Sequence, residues 1–162
     1  MVEYKIGLQE RSRVVVPQRK FREIVFQMLF SQDLGGGGDA QVVSTMLDQL
    51  MVTKKTLRQA CDRVSEIFMQ VEGIDNLISK FSKDYDFNRI SRVERNILRL
   101  GVFELLFDDA VPPKVAISES IRLSRKFGTP EGGAFVNAIL DGIHRSEESK
   151  CLLKTVSKEE SA

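Results

Sequence analysis

The sequence predicts an all-α fold, a compact bundle of six to seven helices, on three observations. Apolar residues recur at three- and four-residue spacing in one segment after another. No stretch of any length alternates apolar and polar residues as a half-buried strand does, and no internal repeat is present. Glycine and proline punctuate the joins between the periodic segments, which leaves short loops between packed helices.

Taken in order, residues 1–17 lack a helical period and form a basic arm that ends at Pro17, whose fixed φ suits the start of a helix. A first helix is expected over residues 19–34, with Phe21, Ile24, Val25, Met28 and Leu29 on one face. Four glycines, Gly35 to Gly38, end it, because so many in a row cost too much chain entropy to stay helical. Without the lysine and hydroxyl residue of a phosphate-binding loop, they have little claim on phosphate. Asp39 is an N-cap for a second helix to residue 51, and Thr53 caps a third to about residue 71. Gly73 is expected to interrupt, with a short helix over 74–81 after it and a turn over 84–91. Residues 93–107 are apolar nearly all round, as a central buried helix must be. Pro112 and Pro113 start the next helix, which Gly128 ends. Residues 133–145 carry a core stripe of Phe135, Val136, Ile139, Leu140 and Ile143. Lysine, glutamate and serine then dominate, so residues 146–162 read as a disordered tail.

Composition narrows the function classes. The 162 residues are 42% hydrophobic and 29% charged, with a formal net charge of +1, so bulk charge names no partner. Distribution says more: Lys5, Arg11, Arg13, Arg19, Lys20 and Arg22 face only Glu3 and Glu10 over the first 22 residues. That stretch is either a footprint for a polyanion or a solvated arm. Cys61 and Cys151 belong to no metal or redox motif, which fits a reducing compartment. No apolar run has the length to span a bilayer and no signal peptide is legible, so a cytoplasmic protein without membrane contact is expected.

Catalysis has little support, and no cofactor or metal is expected. His144, the single histidine, falls near the end of the last helix, where a surface or capping role is expected. Asp108–Asp109 and Glu147–Glu148 are chain neighbours that do not face each other on a helix. Glu104, inside the apolar helix, reads as a buried carboxylate paired with an arginine such as Arg99 or Arg125.

The first helix is more informative. At roughly 100° per residue, Arg19, Phe26 and Phe30 fall within about 40° of one another, opposite the core stripe, with Arg22 on the flank. Rings beside guanidinium groups on a wet face are what single-stranded RNA uses, bases stacking on the rings and cations holding phosphates. The same pattern would arise if the arm or another helix covered Phe26 and Phe30, and the helix alone does not choose.

Three separated motifs then match a known family. QRKFREIVFQMLFSQDL at residues 18–34 resembles the arginine-rich first helix of the NusB family. ISRVERNILRLGVFELLF at 90–107 resembles its central helix, and VPPKVAISESIRLSRKFG followed by AFVNAILDGI resembles its last two helices. The resemblance spans residues 18–145 and implies two packed helical subdomains. It implies a non-enzymatic transcription antitermination factor that pairs with NusE, a small-subunit ribosomal protein, on single-stranded boxA RNA within the RNA polymerase antitermination complex. On that resemblance Arg19, Lys20 and Arg22 match the basic RNA-binding motif. Phe30 takes the place of a base-stacking tyrosine and Phe135 that of an aromatic near the RNA. Glu94, and more weakly Arg99, match the region that contacts NusE. Departures lower the expected phosphate attraction: Gln18 replaces an arginine and Ala134 a lysine, while Phe30 lacks the hydroxyl and Ser118 stands for asparagine. Arg11 and Arg13 on the arm are candidates to compensate. The alternative is a helical adaptor whose protein contacts persist without specific RNA binding. NusB-like domains also occur fused to RNA methyltransferases, but the chain has neither a dinucleotide fingerprint nor a catalytic-cysteine motif. The sequence leaves open a homodimer that would bury the arginine helix.

Overall fold

The computed structural model describes residues 18–35, 52–83 and 85–146, and all regular structure among them is helical. The helix expected over 39–51, the glycine run beyond Gly35, the N-terminal arm and the C-terminal tail lie outside the described residues. The helices are α1 (Gln18–Asp33), α2 (Lys54–Met69), α3 (Val71–Phe81), α4 (Arg92–Phe107), α5 (Pro113–Phe127) and α6 (Gly132–Arg145). A 3-10 turn, Phe87–Arg89, leads into α4.

Their ends follow from local chemistry. Gly35 adopts a φ of +85° just past α1, a left-handed conformation that glycine takes without a side-chain clash. Thr53 accepts a hydrogen bond from the Thr56 amide, and Ser91 from the Glu94 amide, so each satisfies a first-turn donor. Pro113 occupies the start of α5, where its missing N–H costs nothing. One boundary differs from expectation. The break falls at Gln70, and Gly73 lies inside α3. A mid-helix glycine costs about 1 kcal/mol; burial of Ile74, Leu77 and Ile78 on the same short helix outweighs it.

Helix α4 is the hub. Every residue from Asn96 to Glu104 is buried, and α4 touches each of the other five helices. On one side α4, α5 and α6 pack together; on the other, α1 packs against α2 and α4. At Gly101 α5 and α6 come so close that an added Cβ would stand 2.5 Å from Ser120 Oγ and 3.0 Å from a Leu140 methyl. Three interhelical ion networks then fix α1. At its end, Arg99 donates to both oxygens of Asp75 on α3 at 2.8 and 2.7 Å, and its guanidinium is 3.5 Å from Asp33.

Candidate nucleic-acid interface

The seam between α1 and α5 decides which side chains of α1 reach solvent. Arg19 meets Glu119 at 3.2 Å, Glu23 accepts from Arg122 at 2.7 Å and from Lys126 at 2.8 Å, and Phe26 meets the Phe127 ring at 4.9 Å. Successive turns of α1 thus pair with successive turns of α5 through long side chains. Burial raises the pKa of Glu23, but hydrogen bonds from Lys126 and Arg122 outweigh it and hold the carboxyl below its ordinary value. The same carboxylates hold Arg122 above its ordinary value against the depressing effect of burial.

This seam settles the open choice for Phe26 and corrects the expected place of Arg22. Phe26 is 3% exposed, because the ring of Phe127 closes over it. Arg22 is 6% exposed and turned inward, its Nε 2.8 and 3.1 Å from the two carboxylate oxygens of Glu104. Glu119 stands 3.9 Å from the same guanidinium. Glu104 is therefore a buried, paired carboxylate as expected, but its partner is Arg22 rather than Arg99 or Arg125. Burial pushes its pKa up; Arg22 pulls the other way without cancelling the effect.

What stays open is narrower. The Arg19 side chain is 73% exposed although it meets the buried Glu119, so its guanidinium remains open to solvent. Lys20 is half-buried. Phe30 is half-buried too, one wall of an apolar recess of about 270 Å³ shared with Phe26, Gln27, Val93 and Phe127. Its ring lies 6.1 Å from that of Phe26. Nothing in the spacing of the first helix pointed to Phe127 or Val93, which come from 97 and 63 residues further on.

From the recess the surface continues across the start of α4. Val93 lies 3.6 Å from where a Cβ would sit at Gly128. Its neighbour Glu94 is half-buried, one oxygen accepting from Ser91 Oγ at 3.1 Å. The other oxygen would be 2.7 Å from a Cβ at Gly132, the first residue of α6. A carboxylate there suits the positive end of that helix dipole, which has no side-chain cap of its own. One turn along α6, Phe135 is half-buried, and Tyr85 stands against its ring. Arg99 is not on this surface. It is 7% exposed and held by Asp75, Asp33 and Asn96, so the weaker of the two partner-facing expectations is corrected. His144 is exposed in the last turn of α6. Among the described residues no three histidine, cysteine or acidic side chains group to hold a metal, and no helix is long and apolar enough to cross a membrane.

Comparison with known proteins gives concordant results. Residues 19–145 match the NusB family. The transcription antitermination protein NusB of Desulfosudis oleivorans is 34% identical over 131 residues, covering 79% of this chain and 85% of that protein. The solved structure of NusB from T. maritima superposes with a TM-score of 0.69 at 34% identity, over 82% of this chain and 96% of that one. A structure of antitermination factors NusB and NusE in complex with double-stranded RNA superposes at 0.68 and 28% identity, over 79% of this chain and 96% of the other.

Proposed function

The chain belongs to the NusB family, and from that premise we propose that it is an RNA-binding antitermination factor that pairs with NusE on boxA RNA. It is not an enzyme on this reading; its work is to hold RNA and protein together within the RNA polymerase antitermination complex. The observation that carries the RNA half is Phe30 at an open apolar recess, on the same helix as the exposed Arg19 and the half-buried Lys20. An aromatic face takes a base, and cations about three turns earlier on the same helix meet the phosphates on that side. Arg22 contributes from beneath, holding α1 on Glu104 so that Arg19 and Phe30 keep their places. Phe135 supplies a second ring on α6. Glu94 marks the side toward NusE, and Arg99 stiffens α4 behind it.

The test is Phe30→Ala beside Phe30→Tyr in the complex with NusE, read as boxA affinity at fixed salt. Alanine is expected to weaken binding by about 5- to 150-fold, the range of one base–ring stack, and tyrosine to preserve it. Unchanged affinity in the alanine variant would remove Phe30 from the site.

A second reading has an observation in its favour. With Arg22 committed internally, and Gln18 and Ala134 uncharged, few cations remain on this face, as in an adaptor that binds NusE but not a specific RNA. Equal, weak binding of boxA and unrelated RNA would favour it.

A further inference from the structure

We propose that Tyr85 is a second base-stacking residue, presented beside Phe135 at the far end of the RNA track that begins at Phe30. The inference rests on the RNA-binding reading above and extends it to a loop that the motifs do not include.

Tyr85 is one of the few large apolar side chains left in solvent, 58% exposed, whereas every phenylalanine among the described residues is buried or half-buried. It is not a loose ring. Its amide donates to the Ser82 carbonyl at 2.7 Å, and the buried Ser82 hydroxyl is shared between the carbonyls of Tyr85 and Ser79 at 3.1 Å each. On its other side Asp86 accepts from the Asn88 amide and caps the 3-10 turn. The ring meets Phe135 edge to face, with centroids 5.5 Å apart and planes at 79°. Such a pair fixes the orientation of Tyr85 and still leaves it surface for a third aromatic system. A ring held in place before binding loses little entropy when a base arrives.

The track is continuous in contacts. Phe30, Val93 and Phe127 share the recess; Val93 adjoins Gly128; Glu94 adjoins Gly132; Phe135 follows one turn later, and Tyr85 covers its edge. Exposed Lys83, Arg89 and Arg92 stand on the same turn and at the start of α4, where they can meet phosphates. A strand laid along this path finds rings at both ends and exposed cations at the far one, with Arg19 and Lys20 about three turns of α1 before Phe30.

The composition supplies the probe. The chain has no tryptophan and only two tyrosines, so Tyr85→Trp in the full chain introduces a single indole. That indole can be excited at wavelengths where nucleobases absorb little. Titration of the NusE complex with single-stranded boxA RNA is expected to quench and shift its emission. In parallel, Tyr85→Ala is expected to lower RNA affinity about 5- to 150-fold and Tyr85→Phe to preserve it, with thermal melts confirming that both variants fold. If wild type binds RNA and responds to Phe30→Ala, but Tyr85→Ala is unchanged and the indole is silent, Tyr85 is not in the site and the broader reading stands. If wild type binds no RNA, both fail. If Tyr85→Ala weakens NusE binding alone, the ring faces protein and the proposal is overturned.

Discussion

Replacing Glu104 separates a structural role for Arg22 from direct contact with RNA. Their side chains are 5% and 7% exposed, and the guanidinium Nε is within hydrogen-bond distance of both carboxylate oxygens. Glu104→Ala leaves that guanidinium buried with only Glu119 nearby, at 3.9 Å. Removing one partner of a buried pair costs about 3–5 kcal/mol. For a chain of this size that corresponds to a fall in melting temperature of roughly 6–20 °C. Replacing both partners, with Arg22→Met and Glu104→Leu, removes the uncompensated charge and is expected to restore most of the loss. The double variant also keeps the net charge, so diffuse attraction to RNA is unaltered. Thermal melts of the three proteins, then boxA titrations of the folded ones, make the assay. The double variant is expected to bind RNA as wild type does. A folded double variant whose affinity falls as far as that of Phe30→Ala would show that Arg22 reaches RNA. An unaltered melt of Glu104→Ala would show that the pair contributes nothing.

Three further outcomes follow from the same structure. Arg99→Ala should cost about 1–3 kcal/mol by taking from Asp75 its two-point partner, Asp33 keeping Asn96, while the folded fraction binds NusE normally; loss of NusE affinity at full folding would restore Arg99 to the interface. Gly128→Ala should cost about 1–3 kcal/mol through overpacking, since the new Cβ would meet the Ser124 carbonyl oxygen at 2.8 Å, and urea unfolding with an unchanged midpoint would contradict it. Glu23 has a folded pKa below its unfolded value, so its ionised form is stabilised by folding. Its contribution is present above the ordinary carboxylate range and is lost as pH falls through the depressed value. Glu23→Gln should therefore lower stability at neutral pH and flatten that part of the acid limb, and parallel acid titrations of both proteins would refute the sign.

Much of the fold was legible because it rests on local periodicity. A helix apolar all round had to be the hub, and α4 is; Pro113 and Gly128 bounded α5 where backbone chemistry requires. The site was legible only in part. A helical wheel gives angles and not the width of what packs alongside, so it left open whether Phe26 reaches solvent, and Phe127, 101 residues later, covers it. The wheel also put Arg22 on the flank of the wet face, since nothing local reveals a carboxylate 82 residues away. Arg19 and Phe30, nearer the centre of that face, kept some of the exposure expected of them. Tyr85 carried no motif; only the folded turn brings it onto Phe135.

The most direct measurement is a titration of boxA RNA and a scrambled RNA of equal length and composition, at fixed salt, with and without NusE. The complex is expected to bind boxA more tightly than the scrambled strand, with a weaker preference when NusE is omitted. Equal affinity for the two RNAs in both conditions would contradict it.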